Sequence, residues 1–173
     1  YGVSFGAAVV AKYAANNPEN VSFIGYQVPL IYSANIPLLS IAKVPLYGDL
    51  LTRILLVPGV LKRIEEYEGL MSKELLDHYI GQFEVIGTEK FFKKFFLGNA
   101  MGNRLNDHNI IASNSIPSYF AYAEDDLEID AQLVDEAIKN YNNPIVKKYS
   151  GGHFFSSGIE RKVAQEFIDS IKK

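Results

Sequence analysis

Two apolar runs constrain this chain more than any other feature: 21–30 (VSFIGYQVPL) and 116–123 (IPSYFAYA). Neither alternates. A strand with one wet face alternates polar and apolar residues, whereas a strand covered on both faces reads as a near-continuous run rich in β-branched and aromatic residues. Both runs therefore predict buried parallel strands, and a shorter run at 144–150 (PIVKKYS) predicts a third. Parallel strands need long crossovers, and helical patterns lie where crossovers are required. Phe5 to Ala15 is rich in small residues and stops at Asn16-Asn17-Pro18, since proline pushes its predecessor out of the helical region. Asp130 heads a helix through about Tyr141, with Leu133, Val134, Ala137 and Ile138 on its buried face. From Ile159 to Ile171, Val163, Ala164, Phe167, Ile168 and Ile171 share one face. Alternating strands and helices predict an α/β fold with a parallel sheet and crossover helices.

Between these segments, Pro37 to about Asn109 changes character, with short amphipathic helices broken by Pro45, Pro58, Gly69, Gly87 and Gly98. Ser72 heads one such helix, with Leu75, Leu76, Tyr79, Ile80 and Phe83 at helical spacing. Thr88 to Leu97 repeats the pattern with Phe91, Phe92, Phe95 and Phe96 on one face and Lys90, Lys93 and Lys94 on the other. Packing against the rest of the protein is the simpler role for that aromatic face, and contact with a ligand or lipid is the other. The expected organisation is a core from 1–36 and 110–173 with a helical insertion at 37–109.

At 173 residues and 48% hydrophobic, with a net charge of -3, the chain has the length of one domain and too much apolar content for disorder. The absence of cysteine excludes disulfides, thiolate metal sites and cysteine nucleophiles. No apolar run reaches the ~20 residues of a membrane span, and a pI near 5.6 without a Lys/Arg block argues against nucleic acid as a partner. Neither a metal nor a nucleotide cofactor is expected, because the histidines are scattered and no phosphate-cradling glycine loop with its lysine is present. Absence of cysteine suits oxidising and reducing surroundings alike, so the compartment stays open, with the cytoplasm as default.

Chemistry concentrates at three places. Gly2-Val3-Ser4-Phe5-Gly6 fits G-x-S-x-G directly before a helix of small residues, where a tight strand-to-helix turn would expose the serine. At the start of that helix, the N–H of Phe5 could stabilise a developing oxyanion. Ser4 could equally serve as a helix N-cap. Of the three histidines, His78 lies within an amphipathic helix and His108 in a polar stretch expected to be exposed. His153 follows Gly151-Gly152 after the last strand, on the sheet edge where open α/β sheets bind ligands. The acid that would orient it falls in Glu124-Asp125-Asp126, and the residues alone do not separate Asp125 from Asp126.

These motifs resemble those of the α/β-hydrolase family, in which serine, acid and histidine follow in that chain order. Gly2-Val3-Ser4-Phe5-Gly6 is similar to the family's nucleophile elbow. The segment 116–126 resembles its acid strand and "G-x-x-D" turn, with Ala123 in place of the glycine. Gly151-Gly152-His153-Phe154 resembles its histidine loop. The resemblance implies a catalytic set of Ser4, Asp126 and His153, with Phe5 giving one oxyanion-hole donor, and it makes 37–109 a helical lid. It also implies five strands ahead of the elbow, none of them in this sequence. The chain is thus expected to be the C-terminal part of such a fold, completed by the missing half or by another copy. The expected activity is hydrolysis of carboxylic esters of a hydrophobic or acyl substrate, given Leu38, Leu39, Leu50, Leu51, Ile54 and the phenylalanines of the insertion. Peptidase, thioesterase and acyltransferase variants, and a catalytically inactive association module, are the alternatives.

Overall fold

In the computed structural model, which describes residues 1–31, 50, 52–65, 72–85, 87–88, 90–91, 94, 103–126, 128–155 and 159–172, the apolar runs lie side by side in one parallel sheet. The sheet has four strands in the order β1 (Gly2–Val3), β2 (Ile24–Gln27), β3 (Ser118–Ala123) and β4 (Ile145–Tyr149). Gly2 registers with Tyr26, Ile24 with Ser118 and Tyr119 with Ile145. Every residue of β2 and β3 is buried, as their lack of alternation predicts. β4 forms the sheet edge and leaves Lys147 and Lys148 in solvent, where charge discourages further strand pairing.

β2 is shorter than its apolar run. Val28 adopts a left-handed φ of 42° and takes the chain out of the strand, although its N–H still donates to the Ala121 carbonyl at 2.8 Å. A β-branched residue rarely accepts that conformation, so the sequence pattern overshoots.

Helices cover both sheet faces. Phe167, on the last helix α6 (Ile159–Ile171), packs against Tyr1, Phe23 and Tyr119. The neighbouring β3 residue points the other way: Phe120 meets Tyr26 and Tyr141. On that second side α1 (Phe5–Asn16) buries Ala7, Ala8, Ala11, Ala14 and Ala15, and its small side chains let it lie close to the sheet. Its other side leaves Val9 and Tyr13 exposed. α5 (Ala131–Ile138) starts as predicted, with the Asp130 carboxylate accepting from the N–H groups of Gln132 and Leu133.

The chain divides into two compact units, Tyr1–Ala34 with Met101–Lys173, and Asn35–Ala100. The second contains α2 (Val57–Glu65) and α3 (Lys73–Gly81). Pro58, read from the sequence as a break, instead sits where a π-helical turn, Thr52–Leu56, passes into α2, a place where the regular helical hydrogen-bond ladder is already interrupted. Leu50, Ile54, His78 and Phe91 are exposed. Leu38, Leu39, Leu51, Phe92, Phe95 and Phe96 lie outside the described residues.

α4 (Leu105–Ser113) belongs to the first unit and corrects one expectation. His108 is not in an exposed loop; it is 1% exposed, and its Nδ1 pairs with the Tyr141 hydroxyl at 2.6 Å. The polar string Asn106-Asp107-His108-Asn109 conceals a helix whose one face turns inward. Asp107, also buried, binds Lys12 and Arg104. Burial lowers the His108 pKa from 6.5 to about 4, against the opposing pull of Asp107.

Two tests follow from this packing. A Cβ on Gly2 would lie 2.4 Å from the Gly6 carbonyl oxygen and 2.7 Å from the Ala7 nitrogen, backbone atoms that cannot step aside, whereas a Cβ on Gly6 would meet nothing within 4 Å. Denaturant unfolding should show Gly2→Ala costing about 1–3 kcal/mol and Gly6→Ala neutral or stabilising by up to about 1 kcal/mol; equal losses from both would contradict the elbow packing. The second test concerns pH. His108 is held neutral in the fold, so its contribution is fully present above pH 6.5 and is lost as pH falls through 6.5 toward 4. The loss should reach about 3 kcal/mol, and His108→Asn, which keeps a polar group near the Tyr141 hydroxyl, should flatten the stability profile over that window.

Candidate active site

Because all four strands run parallel, their C-terminal ends meet at one edge of the sheet. Ser4 follows β1, the acidic cluster follows β3, and His153 follows β4. Register alone thus gathers residues 149 positions apart in sequence.

Ser4 stands between β1 and α1 with φ 51° and ψ -118°. An L-residue holds such a conformation only when its surroundings impose it, at about 1–3 kcal/mol. Its N–H donates to the Gln27 carbonyl at 2.8 Å, and its own carbonyl accepts from Ala7 at 3.0 Å. The side chain makes no cap bond to α1, so the N-cap alternative does not describe it. Instead Ser4 Oγ lies 2.8 Å from His153 Nε2. Phe5, the expected oxyanion donor, is the first residue of α1.

His153 sits in a single helical turn, Gly152–Phe154, entered through Gly151 at φ 101° and Gly152 at φ 68°. These left-handed values suit glycine, and they aim the imidazole back at the sheet edge. Its Nδ1 is 2.9 Å from Asp126 Oδ2. The Asp126 side chain has no exposed surface, and its Oδ1 accepts from the N–H groups of Glu128 at 2.7 Å and Ile129 at 3.2 Å. A carboxylate only accepts, so Nδ1 carries the proton and the Nε2 lone pair faces the Ser4 hydroxyl. The His153 side chain is partly buried and retains 11% exposure.

The ambiguity between the two aspartates resolves geometrically. Asp126 meets the imidazole, while Asp125 points to the backbone, accepting from Gly151 N–H and Gly152 N–H at 3.1 Å each. Those bonds, Gly151 first, hold the Asp125 carboxyl below its ordinary pKa.

Sequence reasoning missed Phe155. It holds a left-handed φ of 57°, is completely buried, and rests on the Tyr149 ring at a centroid distance of 5.2 Å. Burial of that ring fixes the far end of the histidine loop. Only its aromatic character, shared with the adjacent Phe154 among glycines and serines, hinted at an anchor. His108 takes no part in this cluster, being buried on the inward face of α4, and His78 is exposed on α3. Among the described residues, no group of three or more histidines and carboxylates could hold a metal ion. No helix among them is long and apolar enough to cross a membrane.

No protein-family model matches the sequence, and no curated protein matches it either. Solved structures do match. A mutant of the haloalkane dehalogenase DatA from Agrobacterium tumefaciens superposes with a TM-score of 0.69 at 13% identity, covering 98% of this chain and 64% of its own. An alpha/beta hydrolase fold protein from Burkholderia ambifaria gives 0.64 at 14% identity, covering 95% and 63%. The deformylase Nfo from Pseudomonas putida gives 0.59 at 12% identity, covering 94% and 63%. The chain therefore spans somewhat less than two thirds of the length of these solved chains. It has the α/β-hydrolase fold, in the portion that runs from the β1–α1 turn through the histidine loop to the last helix.

Proposed function

We propose that the protein is a serine hydrolase that cleaves carboxylic esters of hydrophobic or acyl substrates through an acyl-enzyme. The observation that carries this reading is the unbroken hydrogen-bonded chain from Ser4 Oγ through both imidazole nitrogens of His153 to the buried Asp126 carboxylate. His153 Nε2 takes the hydroxyl proton as Ser4 Oγ attacks the acyl carbon. Asp126 holds the imidazole in the accepting tautomer and stabilises the imidazolium that forms. The proton then passes to the leaving alkoxide, leaving an ester on Ser4, and a water activated by the same imidazole releases the acid. The strained turn at Ser4 keeps the oxygen clear of its own helix, so no cap bond must break first.

Phe5 N–H, next to the nucleophile, donates to the oxyanion. A complete hole uses a second donor, and losing one costs about 100 to 1000-fold in turnover. Val3, exposed on β1 at the end of the sheet, supports the further reading that additional strands pair with this edge, supplied by the same protein or by another copy. The fold by itself does not choose between ester, amide and thioester substrates. The ester preference rests on the apolar residues of the 35–100 unit, read as a lid, with Leu50 and Ile54 among them.

A fluorophosphonate probe should label the protein stoichiometrically on Ser4, and His153→Ala should abolish the labelling; an unlabelled wild-type protein would remove the hydrolase reading. Asp126→Asn should lower the labelling rate by up to about 10,000-fold, because an amide nitrogen facing Nδ1 favours the tautomer whose Nε2 cannot accept from Ser4. Size-exclusion chromatography of the native material should show association or a longer protein, and a well-folded 19.3 kDa monomer would contradict the covered edge.

A further inference from the structure

The histidine loop poses a mechanical problem. It contains two consecutive glycines with left-handed φ, the residue type that loses most backbone freedom when ordered, yet it must hold an imidazole between two partners 2.8 and 2.9 Å away. One hydrogen bond from Nδ1 to Asp126 fixes the distance on that side and leaves the loop free to pivot about it. A second attachment is needed, and the residue next to the acid provides it. Both oxygens of Asp125 are used, Oδ2 accepting from Gly151 N–H and Oδ1 from Gly152 N–H, at 3.1 Å each.

We propose that Asp125 is a positioning residue whose carboxylate clamps the backbone of the His153 loop to the turn that carries Asp126, and so sets the imidazole between Asp126 and Ser4. The role deepens the hydrolase reading above and rests on it. One dipeptide grips one loop twice, Asp125 by the main chain and Asp126 by the ring, and the two grips fix both the position and the rotation of the imidazole. A carboxylate suits this better than a neutral acceptor, because its two oxygens take two N–H donors at once and a charged acceptor binds them more strongly than a neutral one. The glycines match the arrangement from the other side. Their positive φ values turn two successive N–H groups toward one acceptor, and a side chain at Gly152 would be strained at φ 68° whatever space it found. Phe155, buried against Tyr149, closes the loop at its other end.

Asp125 itself is exposed, so water can replace its bonds when it is removed. Loss of the clamp should therefore disturb the geometry of His153 far more than the stability of the fold. Fluorophosphonate labelling of Ser4, thermal unfolding, and the NMR signal of the His153 Nδ1 proton should be compared in wild type, Asp125→Ala and Asp125→Asn. Asp125→Ala should slow labelling by about 100-fold, the order of loss that a displacement near 1 Å brings to a catalytic group. It should also shift or broaden the Nδ1 proton signal while the melting temperature changes little. Asp125→Asn keeps one acceptor oxygen and should fall between the two. A labelled wild type with Asp125→Ala labelled equally fast and an unmoved proton signal overturns the clamp alone. Should Asp125→Ala fail to fold, equal labelling of the isosteric Asp125→Asn overturns it. A wild type that takes no label removes the hydrolase reading and this role with it.

Discussion

The parallel register of β1 to β4 is the constraint on which the rest depends. Strands that all run one way end at one edge, so the turn after each strand becomes a neighbour of the others regardless of sequence distance. Ser4 N–H to the Gln27 carbonyl, Val28 N–H to the Ala121 carbonyl, and Glu124 N–H to the Tyr149 carbonyl continue the ladder one step past the strands. Those three bonds carry the order of the sheet into the turns that hold the candidate chemistry.

Strained turns lie at both edges of the sheet, Ser115 and Asn143 ahead of β3 and β4 and three more beyond the strand ends that hold the candidate chemistry. Ser4, Val28 and Phe155 all hold positive φ without being glycine, at about 1–3 kcal/mol each. Each is held in place by something specific: Ser4 by the Gln27 carbonyl and the missing Cβ of Gly2, Val28 by the Ala121 carbonyl and full burial, Phe155 by its buried ring. A loosely packed sheet would release these turns into ordinary conformations and separate Ser4 from His153. The alanine-lined face of α1 belongs to the same arrangement, because bulkier side chains would push the helix, and the serine at its start, away from the sheet.

Much of this was legible in the sequence. Unbroken apolar runs announced buried parallel strands, the Asp130 cap and the period of 159–171 fixed two helices, and glycines before Ser4 and His153 marked turns that only they permit. What stayed hidden depended on direction. Asp125 and Asp126 have the same chemistry and adjacent positions, and only the fold decides which one meets the ring and which the backbone. His108 read as exposed because its neighbours are polar, yet Asp107 finds Lys12 and Arg104, so the helix can bury both residues. The end of β2 was hidden too, since nothing in the run 21–30 shows that Val28 turns left-handed.

The proposed activity stands or falls on acylation of Ser4. Its most direct test is intact-mass analysis and peptide mapping of protein quenched during reaction with an activated acyl ester, such as a p-nitrophenyl ester. One added acyl group is expected, on the peptide that contains Ser4, absent from Ser4→Ala and not formed by His153→Ala. Hydrolysis with no acyl adduct in the burst, or an adduct on another side chain with Ser4 unmodified, would contradict it.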